Sequence, residues 1–345
     1  MLINLAAFVV VVAGIMSAKS LLVPFLLAIF LAIIFTPPYY WLRRKKVPPF
    51  ISVALIVIGV VILQLALTSL IGSSLADFSR ALPQYQQRLH LILQEGIEWV
   101  EKFGINITDD VIMDQLDPGK LMGIVGSMLN NLLAILKDTF IILLTFMFIM
   151  LEAAGIPAKI KAMAGGAQDS LDEYIKITQG VNRYLFLKTL TSLATGILAG
   201  ASLHFIGVDF AIMWGFVAFV LNFIPTIGSI IAAVPAVLLA LVQLGVGPAL
   251  STAGIYMMIN VAIGNILEPR IMGAGVGLST LVIFLSMAFW GWVLGPVGML
   301  LSVPLTMTLK IGMQSNEKTK GFALMLGSNA DAANVLASLS LEKNE

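Results

Sequence analysis

Two long stretches of this chain, residues 210–267 and residues 271–309, contain no charged side chain. Each is longer than the roughly 20 apolar residues that cross the hydrocarbon core of a bilayer as a helix. Charged residues make up only 11% of the 345 residues, against about 25% in an average soluble domain. Too little polar surface exists to coat a water-soluble globule of this size. We therefore predict an all-α, polytopic helical membrane protein.

The composition also argues against several classes of function. Cysteine is absent and only two histidines occur, His90 and His204, so we expect no disulfide and no metal site. The net charge of +1, without a basic stripe that contains aromatic residues, gives no support for nucleic-acid binding. The glycine-rich residues 273–277 lack the phosphate-loop pattern of ATP-binding domains. No Ser/His/Asp set or pair of carboxylates converges, so we expect neither an enzyme nor a cofactor.

Positive charges predict the orientation of the first membrane helices, which we place within residues 1–76. The apolar run that begins at Leu2 predicts a first membrane helix, because no basic region precedes it; a cleaved signal peptide is the alternative. Pro37 and Pro38 predict the end of helix two at about residue 36. The four basic residues 43–46 place the next loop in the cytoplasm. Two helices before that loop place the N-terminus in the cytoplasm as well.

Residues 77–136 differ from the runs on either side because they are amphipathic. LPQYQQRLHLILQEGIEWVEKF carries apolar residues at helical spacing with charges between them, which predicts a helical segment in water, here on the extracytoplasmic side. Membrane helix four, residues 137–152, then returns the chain to the cytoplasm. Residues 153–188 are basic and predict a helical segment there. Residues 189–206 cross outward as helix five.

Helix-breaking residues interrupt each charge-free stretch near its middle, at IPTIGS and at VLGPVG. The arms on either side are too short to cross a bilayer comfortably. We therefore predict two re-entrant helical hairpins, at 211–243 and 279–309, that enter from opposite faces, with a crossing at 248–267 between them. Residues 189–310 would form a transport-type core and residues 311–345 a cytoplasmic tail. Full, tilted spans are the alternative for the arms.

The first break supplies the polar side chains of a predicted substrate site. Irregular backbone at membrane depth is tolerated only where protein or a water-filled cavity surrounds it, and transporters present such helix ends to their cargo. Neutral donors and acceptors suit an uncharged, hydroxylated solute. A packing kink, with Thr226 and Ser229 capping the next helix, is the alternative. The predicted site residues are Asn222, Pro225, Thr226, Gly228 and Ser229.

The second break has almost no side-chain polarity. It would contribute backbone carbonyl and amide groups to the substrate site, with the Trp290 ring as an apolar wall. A tight turn packed against its neighbours is the alternative. The predicted residues here are Trp290, Gly295, Pro296 and Gly298.

Glu268 and Arg270 are the only charged residues between positions 210 and 309. Ionisable groups at membrane depth are functional candidates, so we predict a gating or coupling role for Asn265, Glu268 and Arg270. A partnership of Glu268 with an arginine, and a proton site on Glu268, are the two specific hypotheses. The alternative is a structural pair at a helix end marked by Pro269.

Three stretches of the core resemble the autoinducer-2 exporter family of bacterial membrane proteins: NFIPTIGSIIAAVP, GNILEPRIMGAGVGLSTLVIFLS and FWGWVLGPVGMLLSVPLT. LLVPFLLAIFLAIIFTPPYYWL and LPQYQQRL fit the same family, so the resemblance covers nearly the whole chain. It is closest to the branch linked to export of the quorum-sensing signal autoinducer-2, whereas other branches are linked to sodium–proton exchange. The resemblance implies about eight membrane segments and a homo-oligomer, for which a pentamer is one candidate.

We therefore predict a multi-pass transporter of the bacterial inner membrane that exports autoinducer-2 by alternating access. Residues 189–310 would move against a scaffold formed by residues 1–152, with a proton or a sodium ion as candidate coupling ion. Both termini would lie in the cytoplasm. The alternatives are a cation–proton antiporter that uses Glu268, a passive channel, and a membrane scaffold without cargo.

Overall fold

The computed structural model describes residues 2–103, 118–137, 139–153, 155, 159, 168–272, 277–314 and 318–328. Across these residues the chain is helical and contains no strand, which confirms the predicted all-α class. A π-helical segment, Asn260–Leu267, joins α9 to α10. The helices are α1 (Leu2–Ser17), α2 (Lys19–Arg44), α3 (Pro49–Glu101), α4 (Pro118–Lys137), α5 (Thr139–Ala153), α6 (Gln168–Ile206), α7 (Ala211–Leu221), α8 (Gly228–Leu244), α9 (Val246–Ile259), α10 (Glu268–Met272), α11 (Thr280–Leu294), α12 (Pro296–Gln314) and α13 (Lys320–Leu326).

Five helical stretches among the described residues are long and apolar enough to cross a bilayer. Shorter apolar helices, including α7, α8 and α11, lie between them. Length and composition thus agree with a polytopic membrane protein. The five stretches are Lys19–Arg44, Pro49–Glu98, Gln179–Ile206, Val246–Met272 and Pro296–Gln314.

Helix α2 continues through Pro37 and Pro38 to Arg44, so the predicted end at about residue 36 is wrong. Each proline removes one N–H donor from the helix. Thr36 donates its hydroxyl to the Ala32 carbonyl at 2.7 Å, and Tyr39 is buried in a core shared with α3 and α5. Tertiary packing therefore keeps the last turns of α2 helical.

Helix α3 is continuous from Pro49 to Glu101, about 80 Å at 1.5 Å per residue. A bilayer core is only about 30 Å thick, so α3 extends well beyond it. Residue 76, the predicted end of the membrane part, does not interrupt the helix. Beyond it, Phe78 and Leu89 are buried in one core with Leu129 of α4. The described part of the predicted amphipathic segment therefore consists of the second half of α3 together with α4, and residues 104–117 lie outside the described residues.

Helix α6 joins two segments that the sequence pattern predicts as separate. It runs from Gln168 to Ile206 without a break, so the second half of the predicted basic segment continues directly into helix five. Residues 154, 156–158 and 160–167 of that segment, and residues 315–317 and 329–345 of the predicted tail, lie outside the described residues.

Glycines hold α6 and α7 in close contact. A Cβ built on Gly196 would lie 2.7 Å from the Gly215 carbonyl oxygen, and one built on Gly200 would lie 3.3 Å from the Ala211 carbonyl oxygen. Small residues allow helix backbones to approach in this way in membrane proteins. The two helices therefore pack backbone to backbone, and α7 is fixed along α6.

Two pairs of adjacent helices fold back on each other. In the first hairpin, α7 and α8 are joined by residues 222–227. In the second hairpin, α11 and α12 are joined at Gly295, whose φ of +76° suits glycine. These bounds lie close to the predicted hairpins, except that α12 continues to Gln314 instead of residue 309.

Candidate functional site

The first break folds the chain back onto the last turn of α7. Thr226 has a φ of +59° and is exposed, and its hydroxyl donates to the Pro225 carbonyl at 2.7 Å. A Cβ built on Gly228 would lie only 1.8 Å from the Leu221 carbonyl oxygen. Only glycine fits where α8 begins, so this turn is specified by sequence.

Asn222 and Phe223 attach the first break to two other helices. The Asn222 side-chain amide donates to the Ser192 hydroxyl of α6 at 3.0 Å, and both residues are buried. The Phe223 ring meets the Phe30 ring of α2 edge to face at 5.5 Å. A buried amide needs such a partner. Asn222 therefore positions the break, and its side-chain N–H group is already hydrogen-bonded.

Ser229 and Asn260 form the polar end of a cavity between α8 and α9. The Ser229 hydroxyl donates to the Asn260 Oδ1 at 2.9 Å. The cavity has a volume of about 620 Å³ and is otherwise lined by apolar side chains and Tyr256. Asn260 also begins the π-helical segment, a form of helix that is frequent at functional sites. A small molecule in this cavity would meet one neutral polar patch.

A smaller cavity of about 310 Å³ connects the first break to the beginning of α11. Pro225 and Thr226 line one wall, and Thr280, Ile283 and Met287 line the other. The exposed tip of the first hairpin therefore faces the first half of α11, whereas the second break lies at the far end of that helix.

An ion pair between a buried ammonium and a partly buried carboxylate lies next to these polar groups. The Lys188 ammonium of α6 donates to both carboxylate oxygens of Glu268, at 2.7 and 3.0 Å. The Lys188 side chain is 5% exposed and that of Glu268 18% exposed. Lys188 is one helical turn from Ser192, and Glu268 is about two π-helical turns from Asn260. The pair therefore continues the polar row that starts at the first break.

The second break is a tightly packed turn. A Cβ built on Gly298 would lie 2.0 Å from the Trp290 carbonyl oxygen, and one built on Gly295 would lie 2.6 Å from the Lys19 ammonium nitrogen. The Trp290 indole N–H donates to the Thr306 hydroxyl at 3.0 Å. Neighbouring side chains and backbone thus surround Gly295 and Gly298, while Pro296 is exposed.

Sequence comparison places this arrangement in a known family. The family described as "AI-2E family transporter" matches residues 5–317. The chain belongs to the AI-2E transporter family. The AI-2 transport protein TqsA of Escherichia coli (strain K12) is 39% identical to it over 324 residues, which are 94% of each chain. YhhT of the same strain is 34% identical over 326 residues, 94% of this chain and 93% of YhhT.

A more distant relative carries a different name. The sodium-lithium/proton antiporter of Halobacillus andaensis is 23% identical over 308 residues, 80% of this chain and 86% of the antiporter. Membership of the AI-2E family confirms the resemblance seen in the core motifs. It makes the chain a multi-pass transporter of a small-molecule solute in the bacterial inner membrane.

In this AI-2E transporter the two predicted halves of the substrate site do not meet among the described residues. Phe223 contacts α2 at Phe30, and Gly295 contacts it at Lys19. The 11 residues from Lys19 to Phe30, at 1.5 Å each, separate the two breaks by about 17 Å along α2. The first break and the ion pair are therefore the better-connected part of the predicted site.

The charge partner of Glu268 differs from the predicted arginine. Glu268 pairs with Lys188, whereas Arg270 and Asn265 are exposed and Glu268 lies inside a continuous helical run instead of at its end. Lys188 belongs to the segment predicted as cytoplasmic. LKTLTSLAT carries a signal for the surroundings of Lys188, because Lys188, Thr191, Ser192 and Thr195 share one face of an apolar helix.

A hydrogen-bond network closes the far end of the first hairpin. The Asp209 backbone N–H donates to Gln243 Oε1 at 3.0 Å, and the Gln243 side-chain amide donates to the Asp209 carboxylate. Tyr85 of α3 donates to the same carboxylate at 3.0 Å, and Arg88 donates to the Gln243 carbonyl at 3.2 Å. Both ends of the hairpin are thus bonded together and to α3.

Proposed function

We propose that this transporter exports autoinducer-2, or a closely similar small, uncharged and hydroxylated molecule, from the bacterial cytoplasm by alternating access. The observation that carries the proposal is the 39% identity to the AI-2 transport protein TqsA over 94% of both chains. That extent of matching leaves no large part of the chain without a counterpart.

The chemistry of the first break supports an uncharged cargo. Ser229, Asn260 and Thr226 offer hydroxyl and amide groups that both donate and accept hydrogen bonds. Lys188 and Glu268, which lie on the two helical stretches bonded to the first break, neutralise each other. A solute with several hydroxyl groups could replace the Ser229–Asn260 bond without moving a net charge, which keeps the desolvation cost low.

The packing supports a hairpin that turns back within the bilayer. Helix α7 has 11 residues, about 16 Å, which is half of a bilayer core of about 30 Å. The two ends of the hairpin meet at Asp209 and Gln243, and its tip borders a cavity. We propose that the two hairpins are re-entrant and that both termini are cytoplasmic. From the resemblance to the AI-2E family we also propose that the protein is a homo-oligomer and has no enzymatic activity.

Proteoliposomes loaded with autoinducer-2 test this function. Purified wild-type protein should release it faster than protein-free liposomes do, and Ser229→Ala and Asn260→Ala should each slow the initial rate about 2–10-fold, since each loses a hydrogen bond of about 0.5–1.5 kcal/mol. Ser251→Ala is the matched control, because the Ser251 hydroxyl is exposed and bonds only to the Gly247 carbonyl of its own helix. Release that equals the protein-free rate would contradict the proposal.

Cation–proton antiport is the second candidate, favoured by the partly buried carboxylate of Glu268 and by the similarity to the sodium-lithium/proton antiporter. The same liposomes separate it from export. An antiporter would dissipate an imposed pH gradient when sodium is added, and Glu268→Gln would abolish that response. A passive channel would release autoinducer-2 at a rate that does not change when a pH gradient or a sodium gradient is imposed.

A further inference from the structure

The Lys188–Glu268 pair has a property that neither residue has alone, which is zero net charge. Its N–O distances of 2.7 and 3.0 Å are those of a charge-assisted hydrogen bond. Among the described residues no further ion pair involves either side chain. Arg270, the charged residue nearest to Glu268 along the chain, and Arg183, the one nearest to Lys188, are exposed. Each charge is therefore balanced by one partner only.

The Lys188–Glu268 pair joins the two helical stretches to which the first break is bonded. Lys188 lies one turn from Ser192, which holds Asn222 of the break. Glu268 lies on the same continuous run, Val246–Met272, as Asn260, which holds Ser229. The pair therefore bridges α6 and the run Val246–Met272, the same two stretches that hold Asn222 and Ser229 of the first break.

The physics of a low-dielectric site makes a balanced pair selective. A free ion that enters loses its hydration and gains no net attraction from a pair of opposite charges. If one partner is removed, the other becomes an uncompensated charge that attracts an ion of opposite sign. A neutral polar solute loses much less hydration and still finds donors and acceptors.

We propose that the Lys188–Glu268 pair sets the charge selectivity of this transporter, so that the pathway passes uncharged polar solutes and holds back free anions and cations. This rests on the proposed function in one respect, because it places the pathway at the first break and continues it between α6 and the run Val246–Met272. This role does not require either residue to carry a proton. It depends on the zero net charge of the pair more than on which residue carries which charge.

Ion leak through proteoliposomes tests the proposal with chloride and sodium as probes. Wild-type protein should leak neither ion above the protein-free rate. Glu268→Gln should raise chloride leak at least about tenfold and leave sodium leak low, since a tenfold ratio needs only about 1.4 kcal/mol of differential interaction. Lys188→Gln should do the reverse. Glu268→Gln tests chloride and Lys188→Gln tests sodium. The test therefore needs only one of the two variants to fold, as judged by size-exclusion chromatography.

Two further variants make the result decisive. The swapped pair, Lys188→Glu with Glu268→Lys, restores zero net charge and should leak neither ion. Glu152→Gln is the matched control, because Glu152 and its partner Lys159 form an exposed pair, 59% and 66% exposed, and it should behave as wild type. Equal leak of both ions through a folded single variant, or no leak at all, overturns the proposal.

Parallel measurement of autoinducer-2 release separates this proposal from the proposed function. Wild-type release of autoinducer-2 without the charge-dependent leaks in the variants would overturn the selectivity role alone. The predicted leaks without any wild-type release of autoinducer-2 would overturn the cargo and leave the selectivity role standing.

Discussion

Replacing Glu268 by glutamine should lower the free energy of unfolding by about 3–5 kcal/mol, the range measured when one partner of a buried ion pair is removed. The Lys188 ammonium is only 5% exposed and donates to both oxygens of this carboxylate. Glutamine keeps the size of the side chain but leaves the ammonium uncompensated. Thermal unfolding of the purified protein in detergent, compared with wild type, measures the loss.

A double-mutant cycle shows whether the loss comes from the unpaired charge. Lys188→Met combined with Glu268→Gln removes both charges and should recover most of the stability lost in either single variant, because a buried pair contributes little net stability. Glu152→Gln, which breaks an exposed pair, should cost less than about 1 kcal/mol. If Glu268→Gln and Lys188→Met are each as stable as Glu152→Gln, the Lys188–Glu268 pair is not maintained in solution.

Replacing Gly228 by alanine should destabilise the first hairpin by at least about 3 kcal/mol, at the upper end of the cost of overpacking. The new Cβ would lie 1.8 Å from the Leu221 carbonyl oxygen and 2.7 Å from its carbon. These are backbone atoms, so no side-chain rotation relieves the clash. The break would have to open, and the Asn222–Ser192 hydrogen bond would be strained with it. Size-exclusion chromatography after heating to a series of temperatures should show a clearly lower midpoint.

Gly254→Ala is the matched control for Gly228→Ala. Gly254 lies in α9, and a Cβ built on it would meet no side chain or neighbouring helix within 4 Å, so alanine should be neutral or stabilise the helix by up to about 1 kcal/mol. If Gly228→Ala has the same midpoint temperature as Gly254→Ala and wild type, the first break does not form the tight turn described here.

The charge-free stretches and their breaks could be predicted from sequence because they are local signals. Pro225 and Gly228 interrupt an apolar run, and the structure ends α7 and begins α8 at that point. Pro37 and Pro38 are the same kind of signal, yet α2 continues through them. Helix α2 continues because Tyr39 is packed in the core, and a local sequence pattern carries no information about such packing.

The pairing of Lys188 with Glu268 could not be predicted because distant parts of the chain bring the two side chains together. A basic residue near the start of an apolar helix is typical of a cytoplasmic boundary, and its partner Glu268 is 80 residues away. The relation between the two breaks also depends on distant contacts, since those with Phe30 and Lys19 show that the breaks lie at different positions along α2. Pairings of this kind follow from the fold and not from spacing.

The absence of cysteine allows a direct test of the central claim, that the first break faces water at membrane depth. Thr226 is exposed at the tip, and Leu193, 47% exposed, follows Ser192, to which the break is bonded. Single variants Thr226→Cys and Leu193→Cys, in membranes, are treated with a water-soluble maleimide. We place Leu193 against lipid at a depth similar to that of Thr226, so we expect Thr226→Cys to react and Leu193→Cys to stay unlabelled. Equal protection of both thiols would contradict the account.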